Sequence, residues 1–294
     1  MMHNQAFLMT KLEIEQFREF LTDRENAVAT VEKYLRDVDA FADFLGEDLE
    51  VTRERLLAYK SFLTENYKPG SVNSKLASLN QFLIFRGSGC MRLHSLKTQK
   101  ILMQEESRNL TKEEYERLLA VAEEQDKKDL AMIMETIAAT GIRISELEYI
   151  TAEAVRAGRA EVHNKGKYRR ILMPGALRKK LDAYIRKCGI KSGPVFVTRT
   201  GKPQNRSNIW KRMKALSEAA GVLASKVFPH NLRHLFARTY YKLTRDLTGL
   251  ADILGHSSVE VTRIYTADTE EHYQKELDRM DFVQERGKRC AGMA

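Results

Sequence analysis

Apolar residues return every three or four positions through the N-terminal part of the chain, the spacing of helices that bury one face. Thr10 precedes Glu13 by three residues, a capping-box pattern, and Ile14, Phe17, Phe20 and Leu21 then share a stripe. Val31, Tyr34, Val38, Phe41 and Leu45 make a second stripe, which Gly46 ends. A third helix is expected from near Thr52, with Leu56, Tyr59 and Phe62/Leu63 inward. Asn66 to Gly70, with Pro69, then break the pattern. The fourth, SVNSKLASLNQFLIF, turns Val72, Leu76, Leu79 and Leu83 inward and Asn73, Lys75, Ser78 and Gln81 to its other face. Residues 1–88 thus read as a helical domain of ordinary size.

Gly87, Ser88 and Gly89 stop that helix, and periodicity fades over 89–109, which reads as an interdomain linker. Regular pattern resumes at Leu110. Thr111 and Glu114 form a second capping box, with Leu110 placed to staple onto Tyr115. A helix is expected over 129–139. Residues 159–173, RAEVHNKGKYRRILM, read as a β-hairpin with Val162 and Ile171/Leu172 in the strands and Asn164, Lys165 and Gly166 in the turn. Helices are expected over 175–188, 207–220 and 231–243, with shorter ones near 247–254 and 258–265. In the tail, 269–294, Tyr273, Leu277 and Met280 mark one more apolar stripe. The expected fold class is mainly α with a small β-hairpin or sheet: a helical first domain, then a mixed α+β domain over 110–268.

Composition narrows the function. Of 294 residues, 43% are hydrophobic and 30% charged, with only 16 Gly and 5 Pro, which excludes disordered, collagen-like and membrane-embedded chains. Lys and Arg total 49 against 40 Asp and Glu, and the resulting charge of +9 suits a polyanionic partner. Cys90, Cys188 and Cys290 lie too far apart for a disulfide framework or a zinc site. The first residues carry no signal-peptide pattern, and no apolar run is long enough to span a bilayer, so a cytoplasmic, reduced protein without membrane contact is expected.

The second domain carries Arg143, Lys165, His230, Arg233, His256 and Tyr265, with no accompanying cluster of Asp and Glu. A metal-dependent nuclease needs such carboxylates. Phosphoryl chemistry without a metal must neutralise developing charge with cations, and a planar guanidinium grips two phosphate oxygens at once. Tyrosine then makes sense as a covalent nucleophile, because a phosphotyrosyl ester conserves bond energy and lets a strand be rejoined without ATP. His230 and His234 have the spacing of the zinc motif H-E-x-x-H, but residue 231 is Asn, so the general base is missing. No phosphate-binding glycine loop occurs. Neither metal nor cofactor is expected.

At these residues the chain resembles a known family. ATGIRISELEYI, NKGKYRRILMP, PHNLRHLFART and DILGHSSVEVTRIYT, in this order, are similar to the motifs of tyrosine recombinases, the phage-integrase family, nearest the Xer type. The resemblance spans about Leu110 to Asp268, and more weakly the first domain, which is similar to the family's core-binding domain. It implies that Arg143 and Arg233 clamp the scissile phosphate, His230 is an acid/base group, His256 hydrogen-bonds the phosphate and Tyr265 is the nucleophile. Lys165 resembles the hairpin lysine that protonates the leaving 5′-hydroxyl, although Lys167 stands near enough to be the alternative. Glu146 is similar to a carboxylate that orients the site. DNA contacts are expected from Ser71, Asn73 and Lys75 at the start of the fourth helix and from Arg206 and Lys211 in QNRSNIWKRM.

The resemblance further implies a partner, double-stranded DNA with specific recombination sites, and a tetramer on DNA formed by this chain or with a related recombinase. The nucleoid is the implied place of action. The tail either packs on its own domain or docks on a neighbouring protomer. Integration or excision of a mobile element and resolution of chromosome dimers both fit. A type IB topoisomerase-like enzyme and a non-catalytic DNA-binding protein are the rival readings.

Overall fold

The computed structural model describes residues 6–97, 109–164, 167–198, 200–256, 258–262, 265 and 270–280. Its contacts divide into two compact units that part at Lys100/Ile101.

The first unit is built on four helices, α1 (Lys11–Asp23), α2 (Val28–Leu45), α3 (Arg53–Asn66) and α4 (Pro69–Phe85). The Thr10/Glu13 capping box opens α1, and Thr52 caps α3 through the Arg55 N–H. The expected stripes face one core, in which Phe17, Val38, Phe41, Leu56, Leu76 and Phe82 are buried. Phe17 and Phe82 meet edge to face at 5.3 Å. A two-residue ladder pairs β1 (Phe7–Leu8) with β2 (Glu50–Val51), which periodicity did not indicate.

Three local expectations change. Helix α4 starts at Pro69, because a proline in the first turn forfeits no helical hydrogen bond. Ser78, expected on the outer face of α4, is buried. Its hydroxyl donates to Asp37 Oδ2 (2.7 Å) and accepts from Lys33 Nζ (3.0 Å). Burial alone would raise the Asp37 carboxyl, but Lys33, Ser78 and Lys75 together hold it below its ordinary value. Residues 89–97, expected as linker, form a strap on this unit. Met91 and Leu93 are buried in its core. Asn80 exchanges two hydrogen bonds with the Leu93 backbone, Asn73 does the same with Leu96, and Lys60 and Arg53 donate to the carbonyls of His94 and Met91.

The second unit contains α5 (Lys112–Glu124), α6 (Lys128–Thr140), a 3₁₀ turn (Ile144–Tyr149) and α7 (Ala152–Ala157). The hairpin β3 (Arg159–Asn164) and β4 (Lys167–Leu172) follows, then α8 (Gly175–Cys188), α9 (Arg206–Lys214) and α10 (Pro229–Thr244). The chain continues through α11 (Leu247–Leu254), α12 (Val259–Thr262) and α13 (Glu270–Arg279). The Thr111/Glu114 capping box opens α5 as expected. The strands pair from Arg159↔Leu172 to Asn164↔Lys167, so Asn164 belongs to a strand and not to the turn. Ile171 is buried and Leu172 exposed, the alternation of a sheet with one wet face. Helix α9 is shorter than expected: residues 215–220 are turns, and the Ser217 hydroxyl takes the Lys214 carbonyl.

The main core gathers Ile133, Ile137, Ile142, Ile150, Val155, Leu181 and Leu232. A smaller one joins Ala237, Leu250, Leu254 and Tyr265, with Phe236, Tyr240 and Tyr241 at its edge. Among the described residues no helix is long and apolar enough to cross a membrane.

Candidate active site

The site forms where α10 packs on the end of α6. Gly141 closes α6 in the left-handed region (φ +65°), and a Cβ there would lie 2.4 Å from the Phe236 ring. Only glycine meets both demands. That close approach brings Arg233, one turn into α10, within reach of the α6 terminus. Arg233 is 1% exposed. Its Nη1 donates to the Gly141 carbonyl (2.5 Å), and its Nη2 donates to the Leu254 carbonyl (2.8 Å) and lies 3.1 Å from His256 Nε2. It also shares a side-chain hydrogen bond with Tyr265. Burial first, and then Arg143, pull the Arg233 pKa down to about 10, so it keeps its charge at neutral pH.

Arg143 caps the 3₁₀ turn, and Glu146 reaches back to it. The Arg143 N–H donates to Glu146 Oε2 (2.8 Å), and Nη1 to Oε1 (2.9 Å). Arg169 of β4 also donates to Glu146 Oε2, and its Nη1 donates to the Ile253 carbonyl (2.5 Å). Glu146 is 2% exposed. Burial would raise its carboxyl, yet the Arg143 N–H, Arg169 and the Arg143 guanidinium hold it below its ordinary value. Gly255 (φ +63°) lets the chain turn after α11, and the Arg169 side chain fills the space a Cβ would need. The hairpin, the Arg143 turn and the loop bearing His256 are therefore tied together through Arg169.

Tyr265 is 4% exposed. Its ring stacks 5.9 Å from His256 and meets His234 edge-on at 4.8 Å, and His234 in turn meets His230 at 4.6 Å. His256 Nδ1 lies 2.8 Å from the Thr262 hydroxyl. Desolvation, followed by the neighbouring positive groups, pushes the His234 and His256 pKa values down to about 4 each. His230 sits on the exposed rim. There desolvation of its inner side, Arg233 and Arg143 also lower its pKa.

Five of the six residues singled out for chemistry, Arg143, His230, Arg233, His256 and Tyr265, therefore lie together. Lys165 lies outside the described residues. Three participants escaped the sequence: His234, read only as half of an absent zinc motif; Arg169, one of several hairpin cations; and Thr262. Among the described residues no group of three His, Cys, Asp or Glu could hold a metal ion. Of the expected DNA contacts, Ser71, Arg206 and Lys211 are exposed. Asn73 is half-buried, and its amide exchanges two hydrogen bonds with the Leu96 backbone. Lys75 Nζ lies 3.3 Å from Asp37 Oδ1 and over the Tyr67 ring.

The half-buried imidazoles have a measurable consequence. An unfolded histidine takes up its proton near pH 6.5, whereas His234 and His256 resist it to about pH 4. The unfolded chain thus binds more protons in that window, so stability is full above about pH 6.5 and falls as pH drops toward 4. Thermal midpoints measured across this range should decline, and His234→Phe, which keeps the aromatic packing, should flatten the decline. An unchanged slope in the variant refutes the account.

A mainly helical, two-unit protein with a tyrosine set against arginine and imidazole groups defines the class, and comparison with known proteins supplies the family. The sequence model of the phage integrase family matches residues 108–272. Tyrosine recombinase XerC of Roseiflexus castenholzii is 30% identical, covering 86% of this chain and 88% of that protein. Tyrosine recombinase XerD of Xanthomonas axonopodis pv. citri is 31% identical, covering 89% and 94%. A lambda integrase dimer bound to a COC′ core site shares the fold, with a TM-score of 0.71 at 18% identity over 96% of this chain and 81% of that one. The chain belongs to the phage integrase family. It is an Xer-like, tyrosine-type site-specific recombinase, an enzyme that cleaves and rejoins DNA.

Proposed function

We propose that Tyr265 is the nucleophile of this recombinase and that Arg143 and Arg233 clamp the scissile phosphate. The Tyr265 oxygen attacks phosphorus, the bond to the 5′-oxygen breaks, and Lys165 gives that oxygen its proton. The strand is left as a 3′-phosphotyrosyl ester with a free 5′-hydroxyl. The reverse step, with the 5′-hydroxyl of another strand, rejoins DNA. His230, at the rim, takes the Tyr265 proton as the phenol attacks and returns it on rejoining, when the proton of the attacking 5′-hydroxyl goes back to Lys165; His256 hydrogen-bonds a non-bridging oxygen. The observation that carries this reading is the contact of Tyr265 with Arg233 and with the His256 and His234 rings. A packing tyrosine has no need of a guanidinium and two imidazoles. Donors aimed at phosphate oxygens stabilise the five-coordinate state by about 3–4 kcal/mol each.

The substrate is duplex DNA with specific sites, met by Ser71 on α4 and, on α9, by Arg206 at its start and Lys211 in its last turn, exposed cations that meet phosphates. The first domain spans 1–88 together with the strap over 89–97, the catalytic domain spans 110–268 and the tail 269–294. The working assembly is a tetramer on paired sites, acting in the cytoplasm at the nucleoid. Leu277 on α13 is 61% exposed and Met280, just past its end, 53%, so these two positions of the apolar stripe are not covered by their own domain. This favours docking of the tail on a neighbouring protomer, in a head-to-tail contact that closes into a ring.

Strand exchange between two sites, run in EDTA without ATP, tests the whole reading. The full chain should pair sites and exchange strands, while a chain lacking 270–294 should bind a single site and fail to pair. Relaxation of supercoils without pairing favours the topoisomerase-like alternative, and binding without any adduct favours the non-catalytic one. A truncated chain that still pairs sites, or that unfolds, places the tail in cis.

A further inference from the structure

Thr262, the last residue of α12, is a polar side chain with no exposed surface. Its hydroxyl stands 2.8 Å from His256 Nδ1, while the other ring nitrogen, Nε2, stands 3.1 Å from Arg233 Nη2. Turning the ring over would set carbon atoms against both partners, so the two contacts fix its orientation. A guanidinium has donors only. Nε2 must therefore accept, which leaves the single proton of the neutral ring on Nδ1, and the Thr262 oxygen accepts it.

We infer that Thr262 is a positioning residue of the recombinase: by accepting from His256 Nδ1–H it holds the ring with Nε2 toward Arg233. The inference rests on the roles given above to His256 and Tyr265. Tyr265 follows three residues later and stacks on the same imidazole at 5.9 Å, so one hydroxyl governs both the direction of Nε2 and the plane against which the tyrosine lies.

The bond matters more once DNA is present. A phosphate oxygen that takes the Arg233 N–H displaces Nε2 as acceptor. For Nε2 to hydrogen-bond that phosphate it must gain a proton, while Nδ1 keeps its own. Both ring nitrogens are then donors, one to phosphate and one to Thr262, and neither is orphaned. Without the hydroxyl, Nδ1–H loses its acceptor in a buried setting. The proton then moves to Nε2, against an Arg233 N–H, or the ring turns away. Either change spoils the alignment with the phosphate site. An unmade hydrogen bond to a charged group of this kind corresponds to a rate loss of roughly tenfold to a hundredfold.

Thr262→Val keeps the side-chain shape and removes the oxygen, whereas Thr262→Ser keeps the oxygen and loses a methyl. The full chain carrying each is compared by ¹⁵N NMR of histidine-labelled protein and by single-turnover cleavage of a nicked duplex bearing the mapped recombination site. The wild-type His256 ring should be protonated on Nδ1. In Thr262→Val that signature should be lost and cleavage slowed roughly tenfold to a hundredfold with duplex affinity unchanged, and Thr262→Ser should keep both near wild type. A purely packing role gives the reverse order, with Ser the poorer. Wild-type protonation on Nε2, an undiminished rate in the Val variant, or a Ser variant as slow as Val each overturns the inference. If the wild-type chain forms no adduct, the assignment of Tyr265 falls instead, and the imidazole spectrum still judges Thr262.

Discussion

Tyr265→Phe should abolish the covalent DNA adduct and leave duplex affinity and the fold nearly unchanged. The substitution removes one oxygen. The ring keeps its packing against Ala237, Leu250 and Leu254, and Arg233 keeps the Gly141 and Leu254 carbonyls and His256 Nε2. The stability cost should be about 1 kcal/mol, the net worth of an ordinary hydrogen bond. Loss of chemistry is complete because the attacking oxygen itself is gone: Arg233 is a cation and no nucleophile, and His256 is engaged in hydrogen-bonding the phosphate. A suicide substrate that traps the wild-type chain as a denaturant-resistant complex measures this directly. An adduct formed by the Phe variant shows that another residue is the nucleophile.

The contrast with Arg233 explains why the tyrosine is the cleaner test. Arg233 is a buried cation that satisfies two backbone carbonyls, at the ends of α6 and α11. Removing it leaves both unpaired in a closed interior, at a cost of about 1–3 kcal/mol for each. Lost activity in such a variant mixes chemistry with folding. The same residue thus clamps phosphate, in the proposed reaction, and joins two helices, in the fold.

Where the sequence was legible, the signal was periodic or terminal. Thr10 with Glu13 and Thr111 with Glu114 announced helix starts, and Val31 through Leu45 announced a buried face, because helix geometry repeats along the chain. The strap over 89–97 was not legible. Its backbone groups are met by Asn73, Asn80, Lys60 and Arg53 from helices distant in sequence, and side chain to backbone bonds of that kind leave no period. Ser78 looked like an exposed residue for the same reason: its partners Lys33 and Asp37 lie on another helix. At the site, the family motifs located Arg143, Arg233, His256 and Tyr265. Arg169, His234 and Thr262 act through these, and their contacts exist only once α10, α11 and β4 converge.

The hairpin leads to the second large expected effect. Lys165→Ala should slow cleavage of an ordinary duplex by about 10²–10⁴, the usual contribution of a positioned acid. The departing 5′-oxygen is a strong base that cannot leave without a proton. If sulfur replaces that oxygen, the leaving group is a thiolate, whose acid has an ordinary pKa of about 8.5 and needs no proton donor at neutral pH. A 5′-bridging phosphorothiolate substrate should therefore restore most of the rate to Lys165→Ala, while doing nothing for Tyr265→Phe. The strand register pairs Asn164 with Lys167, and Arg169 anchors β4 to Glu146 and to the Ile253 carbonyl. Lys167, two positions further along the chain, is the alternative donor. Only one of the two can deliver the proton, so rescue should follow Lys165→Ala and not Lys167→Ala. Rescue of the Lys167 variant alone moves the acid to that position, and rescue of neither shows that the proton comes from elsewhere, with rim-exposed His230 the first group to substitute next.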